Sequence, residues 1–403
     1  MKLAIVSDLH IGYERFEEDA FKQAKEALES ASQMADAILI PGDVFDKRAP
    51  KPEVIAQAIN IFKDLSEKEW KATVVEYDCR SKRKLRTTIP IVAIPGTHER
   101  TAEGKENVLG LLGLAGLLVD ASESTVVIEL NKEKVAVFGM GGVAEERVRE
   151  VLKALGPKPV PGAFNIFMMH QSTYELLPFS SDIIHNEDLP MGFDLYLNGH
   201  IHNRVEMQVH GKKFLIPGST VLTQLKDGEQ ERKGFLLFDT TDYSHKFVPI
   251  NSREFDVVHL KFAEAPPKEI VNQCEKEVDK LLSRKEGNPI IKLVLEGTLA
   301  RGFTNTDLPL RNLITRNAGR AVVEIDYSRL KNPDVEKGVE EIRSGTIDNM
   351  SIKEQGMAMF LTKLKEHKFE NRVDAGTLFE VLSKEQGKEK TIKEANELLE
   401  KGI

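Results

Sequence analysis

The chain has 403 residues, of which 41% are hydrophobic and 30% are charged. This length exceeds what one hydrophobic core usually organises, and the composition is that of a globular protein, so we expect two or three domains rather than a disordered chain. The formal net charge of −8 argues against a protein that coats nucleic acid by charge alone, because such binding neutralises phosphates with Lys and Arg.

The N-terminal segment and the cysteines indicate the cellular compartment. The first apolar run reaches Asp8 and His10 too early for a signal peptide, and no run of about 18 apolar residues is available to cross a membrane. Cys79 and Cys274 are far apart and form no metal or disulfide pattern. We expect a cytoplasmic protein that does not contact membranes and keeps both thiols reduced.

In the first 250 residues, short apolar runs end in clusters of polar side chains. Uninterrupted apolar runs are typical of strands buried on both faces. The runs cover residues 3–6, 37–40, 91–94, 166–169 and 195–197. Helical patterns at about 14–33 and 52–66 lie between the early runs, which predicts a layered α/β fold with its site at the carboxyl ends of the strands.

Later strands follow one another without long helices between them. They are predicted at residues 126–130, 134–140, 214–217 and 235–239. Short connections favour antiparallel pairing, because parallel strands need a long crossover. The prediction for residues 1–252 is therefore one domain, a sandwich of mixed sheets flanked by helices.

The rest of the chain has a different pattern. Residues 253–335 alternate strand and helix without any of the polar clusters, which predicts a small separate α/β domain. Residues 336–403 are charged and helical. Two groups of apolar side chains lie there: Met357, Phe360, Leu361 and Leu364, then Leu378, Phe379, Val381 and Leu382. These groups either pack on each other or form a docking face for a partner helix.

Seven side chains at the predicted strand ends are potential metal ligands. They are Asp8, His10, Asp43, His98, His170, His200 and His202. Imidazole and carboxylate without thiolate favour Mn²⁺, Fe²⁺ or Zn²⁺ over Ca²⁺ or Cu⁺. The two aspartates and four of the histidines are too many for one ion, so they suit two ions with a shared ligand. Such a pair, about 3.5–4 Å apart, activates water against a phosphodiester, which predicts phosphate ester hydrolysis.

The order of these motifs resembles the calcineurin-like metallophosphoesterases. The motifs are Asp8-Leu-His10, Gly42-Asp43, Gly96-Thr97-His98-Glu99, His170 and Gly199-His200-Ile-His202. Residues 8–13, 48–50, 217–220, 233–235 and 253–255 resemble, more narrowly, the archaeal and bacterial (SbcD-like) nuclease subunit of the double-strand-break repair complex. The motifs that carry the resemblance follow one another closely up to about residue 260. The resemblance implies a four-layer sandwich followed by a small capping, DNA-recognition domain and C-terminal helices.

Residue roles follow from this resemblance. Asp8, His10 and His202 would hold one metal, Asp43 would bridge, and His170 and His200 would hold the second. His98 would be the general acid or stabilise the leaving oxygen, with an outer-shell orienter of phosphate as the alternative. Thr97 stands where the family has an asparagine ligand of the second metal, so we expect weaker binding there, and Glu99 either substitutes or points away. Arg48 and Ser219 would contact the substrate, and Arg83 would do so through a basic segment that is a departure from the family pattern.

Arg83 belongs to a basic segment, residues 80–86, that looks like an insertion in the family pattern. Such a segment is either a solvated loop or a contact with the DNA backbone.

The resemblance also implies an activity and partners. It implies two Mn²⁺ per chain, with Mg²⁺, Fe²⁺ or Zn²⁺ as alternatives, and 3′-to-5′ exonuclease and single-strand endonuclease activity on DNA. It further implies a homodimer, formed through residues 54–62 or the helix after Asn107, and a coiled-coil SMC-type ATPase bound by the C-terminal helices.

Two other interpretations remain open. A phosphoprotein or cyclic-nucleotide phosphoesterase could use the same scaffold, although it would need neither the small domain nor the terminal helices. A structural adaptor with a decayed metal site would explain Thr97.

Overall fold

The computed structural model describes residues 1–78, 88–101, 105–177, 183–285, 287–333, 352–366, 374–383 and 395–396. The chain divides into two compact units. The larger unit contains Met1–Val257 and Gly287–Ile290, and the smaller unit contains Val258–Glu286 and Ile291–Ile403. The basic segment 80–86, with Arg83, lies outside the described residues.

The larger unit contains strands and helices in an α/β arrangement. Its strands are β1 (Lys2–Ile5), β2 (Ala37–Pro41), β3 (Thr73–Asp78), β4 (Ile91–Ile94), β5 (Val119–Asp120), β6 (Ser124–Leu130), β7 (Glu133–Met140), β8 (Phe164–Met169), β9 (Leu195–Asn198), β10 (Val205–Val209), β11 (Lys212–Ile216), β12 (Gly234–Asp239) and β13 (His245–Pro249). Its helices are α1 (Glu17–Met34), α2 (Pro52–Ser66), α3 (Val108–Leu114) and α4 (Val148–Leu155).

Two mixed sheets form the centre of this unit. The first has the strand order β13-β12-β1-β2-β4-β5, in which β1, β2, β4 and β5 are parallel. The second has the order β10-β11-β9-β8-β7-β6-β3, in which β7, β8, β9 and β11 are parallel. The parallel strands carry the polar clusters at their carboxyl ends, as expected for an α/β fold.

The antiparallel prediction for the later strands is right for some pairs and wrong for others. Strand β6 runs antiparallel to β7, and β12 runs antiparallel to β1. Strand β11 is antiparallel to β10 but parallel to β9, with Leu215 opposite Leu197. The reason is that the β10–β11 hairpin folds back, so that β11 inserts between β10 and β9.

The alternating side chains of the strands build two cores, one on each face of the first sheet. Leu3 and Ile5 of β1 point between the sheets, where they join a core with Val137 of β7 and Ile166 of β8. Ala4 of β1 points to the opposite face and joins a second core. Strand periodicity of two produces this division.

Helices cover the outer faces of both sheets. The second core includes Leu28 of α1 and Phe62 of α2 on the outer face of the first sheet. On the outer face of the second sheet, Val148 and Leu152 of α4 share a core with Phe167 of β8. The order helix, sheet, sheet, helix confirms the predicted four-layer α/β sandwich.

Helix α2 shows how closely the sequence pattern determines a local element. Pro52 occupies its first turn, where a missing N–H costs no hydrogen bond. The buried residues Val54, Ala58, Ile61 and Leu65 recur at helical spacing and form one apolar face.

The smaller unit has its own core. It contains most of β14 (Phe255–Ala265) and β15 (Ile290–Leu299), together with α5 (Pro267–Leu282), α6 (Leu310–Asn317) and β16 (Val322–Lys331), and the sheet order is β14-β15-β16. Buried Ile270, Cys274 and Val278 of α5 share the core with Leu293 and Leu295 of β15. Burial raises the pKa of the Cys274 thiol to about 12, so this cysteine is an inert packing residue.

Two C-terminal helices are described, α7 (Ile352–Glu366) and α8 (Ala375–Leu382). The rings of Phe360 on α7 and Phe379 on α8 lie 5.7 Å apart, and Leu378 and Val381 are buried. The two helices therefore pack on each other. Leu361 and Leu382 remain exposed. Within the part of the chain that the structure covers, no helix is both long and apolar enough to span a membrane.

Candidate metal centre

The predicted ligands converge at one edge of the sandwich. Three groups of side chains have potential ligand atoms within 4.8 Å of one another: Asp8, His10 and His202; Asp8, Asp43 and His170; and His10, Asp46 and His98. They follow β1, β2, β4, β8 and β9, so both sheets contribute. Asp8 is common to the first two groups, whereas the family resemblance implied Asp43 as the bridging residue.

The backbone at this edge is strained. Asp8, His10, Asp43 and His200 all have positive φ, between 46° and 71°. This left-handed conformation costs a residue with a side chain about 1–2 kcal/mol. Gly42 has φ +97°, and a Cβ there would lie 2.1 Å from Nδ1 of His170. Such strain persists only where the surrounding structure holds it, and it is concentrated at functional sites.

The first group brings imidazole nitrogens face to face. Nε2 of His10 lies 3.1 Å from Nε2 of His202, which lies 3.8 Å from Oδ1 of Asp8. Nδ1 of His10 is buried and lies 3.4 Å from Oδ1 of Asp46. Burial, followed by the nearby His10, lowers the pKa of His202 to about 2, which keeps its imidazole neutral. Two imidazole nitrogens that converge beside a carboxylate fit a divalent cation.

The second group is ordered by a backbone contact. Nδ1 of His170 lies 2.8 Å from the carbonyl oxygen of Pro41. Because a carbonyl only accepts, Nδ1 carries a proton, and Nε2 faces the Asp43 carboxylate, 3.1 Å from Oδ2. Burial disfavours the imidazolium, but the Asp43 carboxylate outweighs burial and raises the pKa of His170 to about 9. A site that holds a proton this firmly between a carboxylate and an imidazole also suits a cation.

His200 lies beside the second group. Its ring centroid is 5.3 Å from that of His170, and its backbone N–H donates to Oδ1 of Asp8 at 3.0 Å. Burial, followed by the charge of His170, lowers the pKa of His200 to about 4, so it too is neutral. Its side chain does not belong to any of the three ligand groups found among the described residues.

His98 is the most accessible of these histidines. Its side chain is 44% exposed, and its backbone N–H donates to Oδ1 of Asp43 at 3.0 Å. Nδ1 lies 2.6 Å from the carbonyl oxygen of Asp46, so Nδ1 is the donor and Nε2 is free to exchange a proton. Asp46, three residues after Asp43, was not predicted. Its only sequence signal is a carboxylate shortly after a strand-end motif.

The side chains of Thr97 and Glu99 point in different directions. Oγ1 of Thr97 donates to Oδ2 of Asp43 at 3.5 Å, so this side chain lies at the second group. The buried Glu99 accepts from the backbone N–H groups of Phe45 at 2.8 Å and Gly96 at 2.9 Å. Burial and then the charge of Asp43 raise the pKa of Glu99 to about 8. Glu99 therefore supports the loops and does not replace the missing asparagine.

The predicted substrate contacts have different environments. Arg48 is exposed in the loop after β2. Ser219 is 1% exposed, and its hydroxyl donates to the Val221 carbonyl at 2.7 Å and accepts from Nζ of Lys233 at 3.0 Å. Its position is that of a loop support rather than of a surface contact.

A cleft of about 690 Å³ adjoins the centre. Arg100, Lys105 and Arg147 line it, and none of the three has an ion pair within the described part of the chain; Glu123 is the acidic lining residue. Two lining glycines tie it to the ligand loops: Gly142 N–H donates to the Pro95 carbonyl, and the Gly141 carbonyl accepts from Gln171, each at 2.9 Å. The cleft thus shares a wall with the loops that carry His98 and His170.

Comparison with known proteins identifies relatives over most of the chain. Proteins named "DNA double-strand break repair protein Mre11" are similar to it. The one from Archaeoglobus fulgidus is 26% identical over 334 residues, which cover 73% of this chain and 68% of the relative. The one from Methanopyrus kandleri is 27% identical over 384 residues, which cover 89% and 76%.

The N-terminal half of the chain matches a known family. The sequence profile described as "Calcineurin-like phosphoesterase" matches residues 1–204, the part that contains every predicted metal ligand. Since these residues make up just over half of the 403, the protein belongs to the calcineurin-like phosphoesterases.

Proposed function

We propose that this protein is a metal-dependent nuclease that cuts DNA in the repair of double-strand breaks. The observation that carries the proposal is the pair of ligand groups sharing Asp8, with the accessible His98 beside them. The choice of DNA over other phosphodiesters is supported by the double-strand-break repair names of the relatives that match most of the chain.

Two cations per chain are part of the proposal. Asp8, His10 and His202 would hold one, and Asp43, His170, His200 and Thr97 would complete the site of the other. The donors suit Mn²⁺, and they also suit Fe²⁺ or Zn²⁺. When bound, such a pair supplies Lewis acidity toward a phosphodiester and the water that attacks it.

The side chains of this protein would orient the reaction and transfer protons. Asp43 accepts the backbone N–H of His98, which ties the position of this histidine to the ligand loop. With Nδ1 of His98 donating to Asp46, Nε2 is free to give a proton to the leaving oxygen. The exposure of His98 allows a substrate to reach this atom.

A polymeric substrate is supported by the cationic cleft. Arg100, Lys105 and Arg147 line a cleft that adjoins the loops of the centre. Phosphates that flank the scissile one would contact these cations, since DNA affinity comes mainly from Lys and Arg at phosphates. The positive charge of the cleft would compensate for the negative net charge of the whole chain. Arg48 would contribute a further phosphate contact.

Partners and domain roles complete the proposal. Leu111 and Leu114 of α3 are 50% and 66% exposed, and an apolar helix face of this kind suits a homodimer. Residues 253–335 would cap and recognise DNA. Residues 336–403 would bind a coiled-coil ATPase, for which the exposed Leu361 and Leu382 offer apolar contacts.

The test is degradation of end-labelled duplex DNA with Mn²⁺, with bis(p-nitrophenyl) phosphate as a small phosphodiester for comparison. We expect 3′-to-5′ digestion by the native chain, cleavage of single-stranded circles, and loss of both with Asp8→Asn. Hydrolysis of cyclic nucleotides or phosphopeptides without DNA cleavage would identify a different phosphoesterase. Failure to bind Mn²⁺, Fe²⁺ and Zn²⁺ would identify a scaffold and overturn the proposal.

A further inference from the structure

His202, Lys233, Glu229 and Thr223 form a closed ring of polar contacts. Lys233 and Glu229 are 5% and 4% exposed, and their charged atoms lie 3.7 Å apart. Nζ of Lys233 also donates to the carbonyl oxygen of His202 at 3.1 Å. Because a buried charge is costly without a partner, each member of the pair keeps the other in place.

The carboxylate of Glu229 binds backbone and side-chain donors of the preceding loop. Its carboxylate accepts from the backbone N–H groups of Gln224 at 3.0 Å and of Thr223 and Lys226 at 3.4 Å, and from Oγ1 of Thr223 at 3.4 Å. On the other side, the hydroxyl of Tyr13 donates to the carbonyl oxygen of Thr223 at 2.6 Å. Thr223 is thereby held at both its backbone and its side chain.

The hydroxyl of Thr223 connects this ring to the metal centre. Oγ1 contacts both Glu229 and Nδ1 of His202. A hydroxyl has a single proton, and an ionised carboxylate can only accept. If that proton points to Glu229, Oγ1 accepts from His202, and Nδ1 must carry the imidazole proton. Nε2 then has its lone pair available in the first ligand group.

We propose that Lys233, Glu229 and Thr223 act as a positioning relay that sets the tautomer of His202 so that Nε2 can bind a divalent cation. The inference rests on the proposed function insofar as His202 is a metal ligand. His170 provides the contrast, because its tautomer is set by the Pro41 carbonyl, which no substitution removes. At His202 the same task falls to side chains, so it can be tested by substitution.

The experiment uses the full chain with ¹⁵N-labelled histidine and no metal, and His202→Asn identifies the His202 signals. The ¹⁵N shifts distinguish an Nδ1–H from an Nε2–H imidazole. We expect Nδ1–H in the native chain and in Thr223→Ser, and a mixture in Thr223→Val. Mn²⁺ affinity, measured by calorimetry, should fall about 10- to 100-fold in Thr223→Val and recover in Thr223→Ser, in line with the usual effect of losing such a support.

Two further variants separate the relay from general packing. Thr220→Val removes a fully buried hydroxyl from the same loop, one that makes no hydrogen bond within the described residues. It should change neither the tautomer nor the affinity. Glu229→Gln introduces an amide donor that can turn the Thr223 hydroxyl toward His202, so it should favour Nε2–H. Thermal melting without metal verifies that each variant is folded.

The relay is overturned if folded Thr223→Val keeps both the native tautomer and the native Mn²⁺ affinity, or if native His202 carries its proton on Nε2. These readouts do not require DNA cleavage. A native chain that shows the expected tautomer and Mn²⁺ binding but does not cut DNA would overturn the nuclease proposal and leave the relay standing.

Discussion

Gly42→Ala should damage the second ligand group specifically. Gly42 has φ +97°, so alanine there incurs a backbone cost of about 1–2 kcal/mol. Its Cβ would lie 2.1 Å from Nδ1 and 2.6 Å from Cγ of His170. Relief requires the imidazole to move by at least 1.3 Å, from 2.1 Å to the 3.4 Å at which ordinary van der Waals contact begins. This movement breaks the 2.8 Å hydrogen bond to Pro41 and costs about another 1 kcal/mol. We expect a total loss of roughly 2–3 kcal/mol.

The assay combines urea unfolding with calorimetric Mn²⁺ stoichiometry, and Gly116→Ala is the matched control. Gly116 also has positive φ, +74°, but a Cβ there meets no atom within 4 Å. Gly116→Ala therefore incurs the backbone cost but introduces no steric clash. Gly42→Ala should lose more stability than the control and should lose one of two bound ions. Equal stability losses with unchanged stoichiometry would refute the reasoning.

Three further predictions follow from the site and its surroundings. His98→Ala should keep native Mn²⁺ affinity while kcat on DNA falls about 10²- to 10⁴-fold; an equal fall in metal affinity would make His98 a ligand instead. Arg147→Ala should raise KM for oligonucleotides and reduce the salt slope of binding by about one. Arg149→Ala, two residues further on but paired with Asp188 at 3.1 Å, should do neither, and equal effects of the two substitutions would show that DNA does not bind in the cleft. Burial raises the folded-state pKa of Asp120 above 3.8, so its contribution to stability is full below pH 3.8 and is lost as the pH rises through the folded pKa. Asp120→Asn should therefore gain thermal stability over the native chain as the pH rises, and a pH-independent difference would contradict this.

Several local features could be predicted from residue patterns alone. The helix at residues 52–66 has its observed bounds, because Pro52 and the spacing of the apolar residues act within one element. Strands β3, β5, β10 and β13 were not predicted. Strand β3 borders the basic segment, and β10 alternates half-buried and exposed residues at the edge of its sheet. Edge strands of this kind have a weak apolar signal.

The sequence by itself determined the kinds of ligand and their place at strand ends, because both depend on short-range patterns. The tertiary structure decided which atoms meet. His10 and His202, 192 positions apart, face each other only because β1 and β9 lie in different sheets of one sandwich. Three other features also join residues from separate loops. They are the presence of Asp8 in two ligand groups, the contact of Asp46 with His98, and the ring of polar contacts that includes His202. Such contacts depend on how the chain packs, which no local periodicity records.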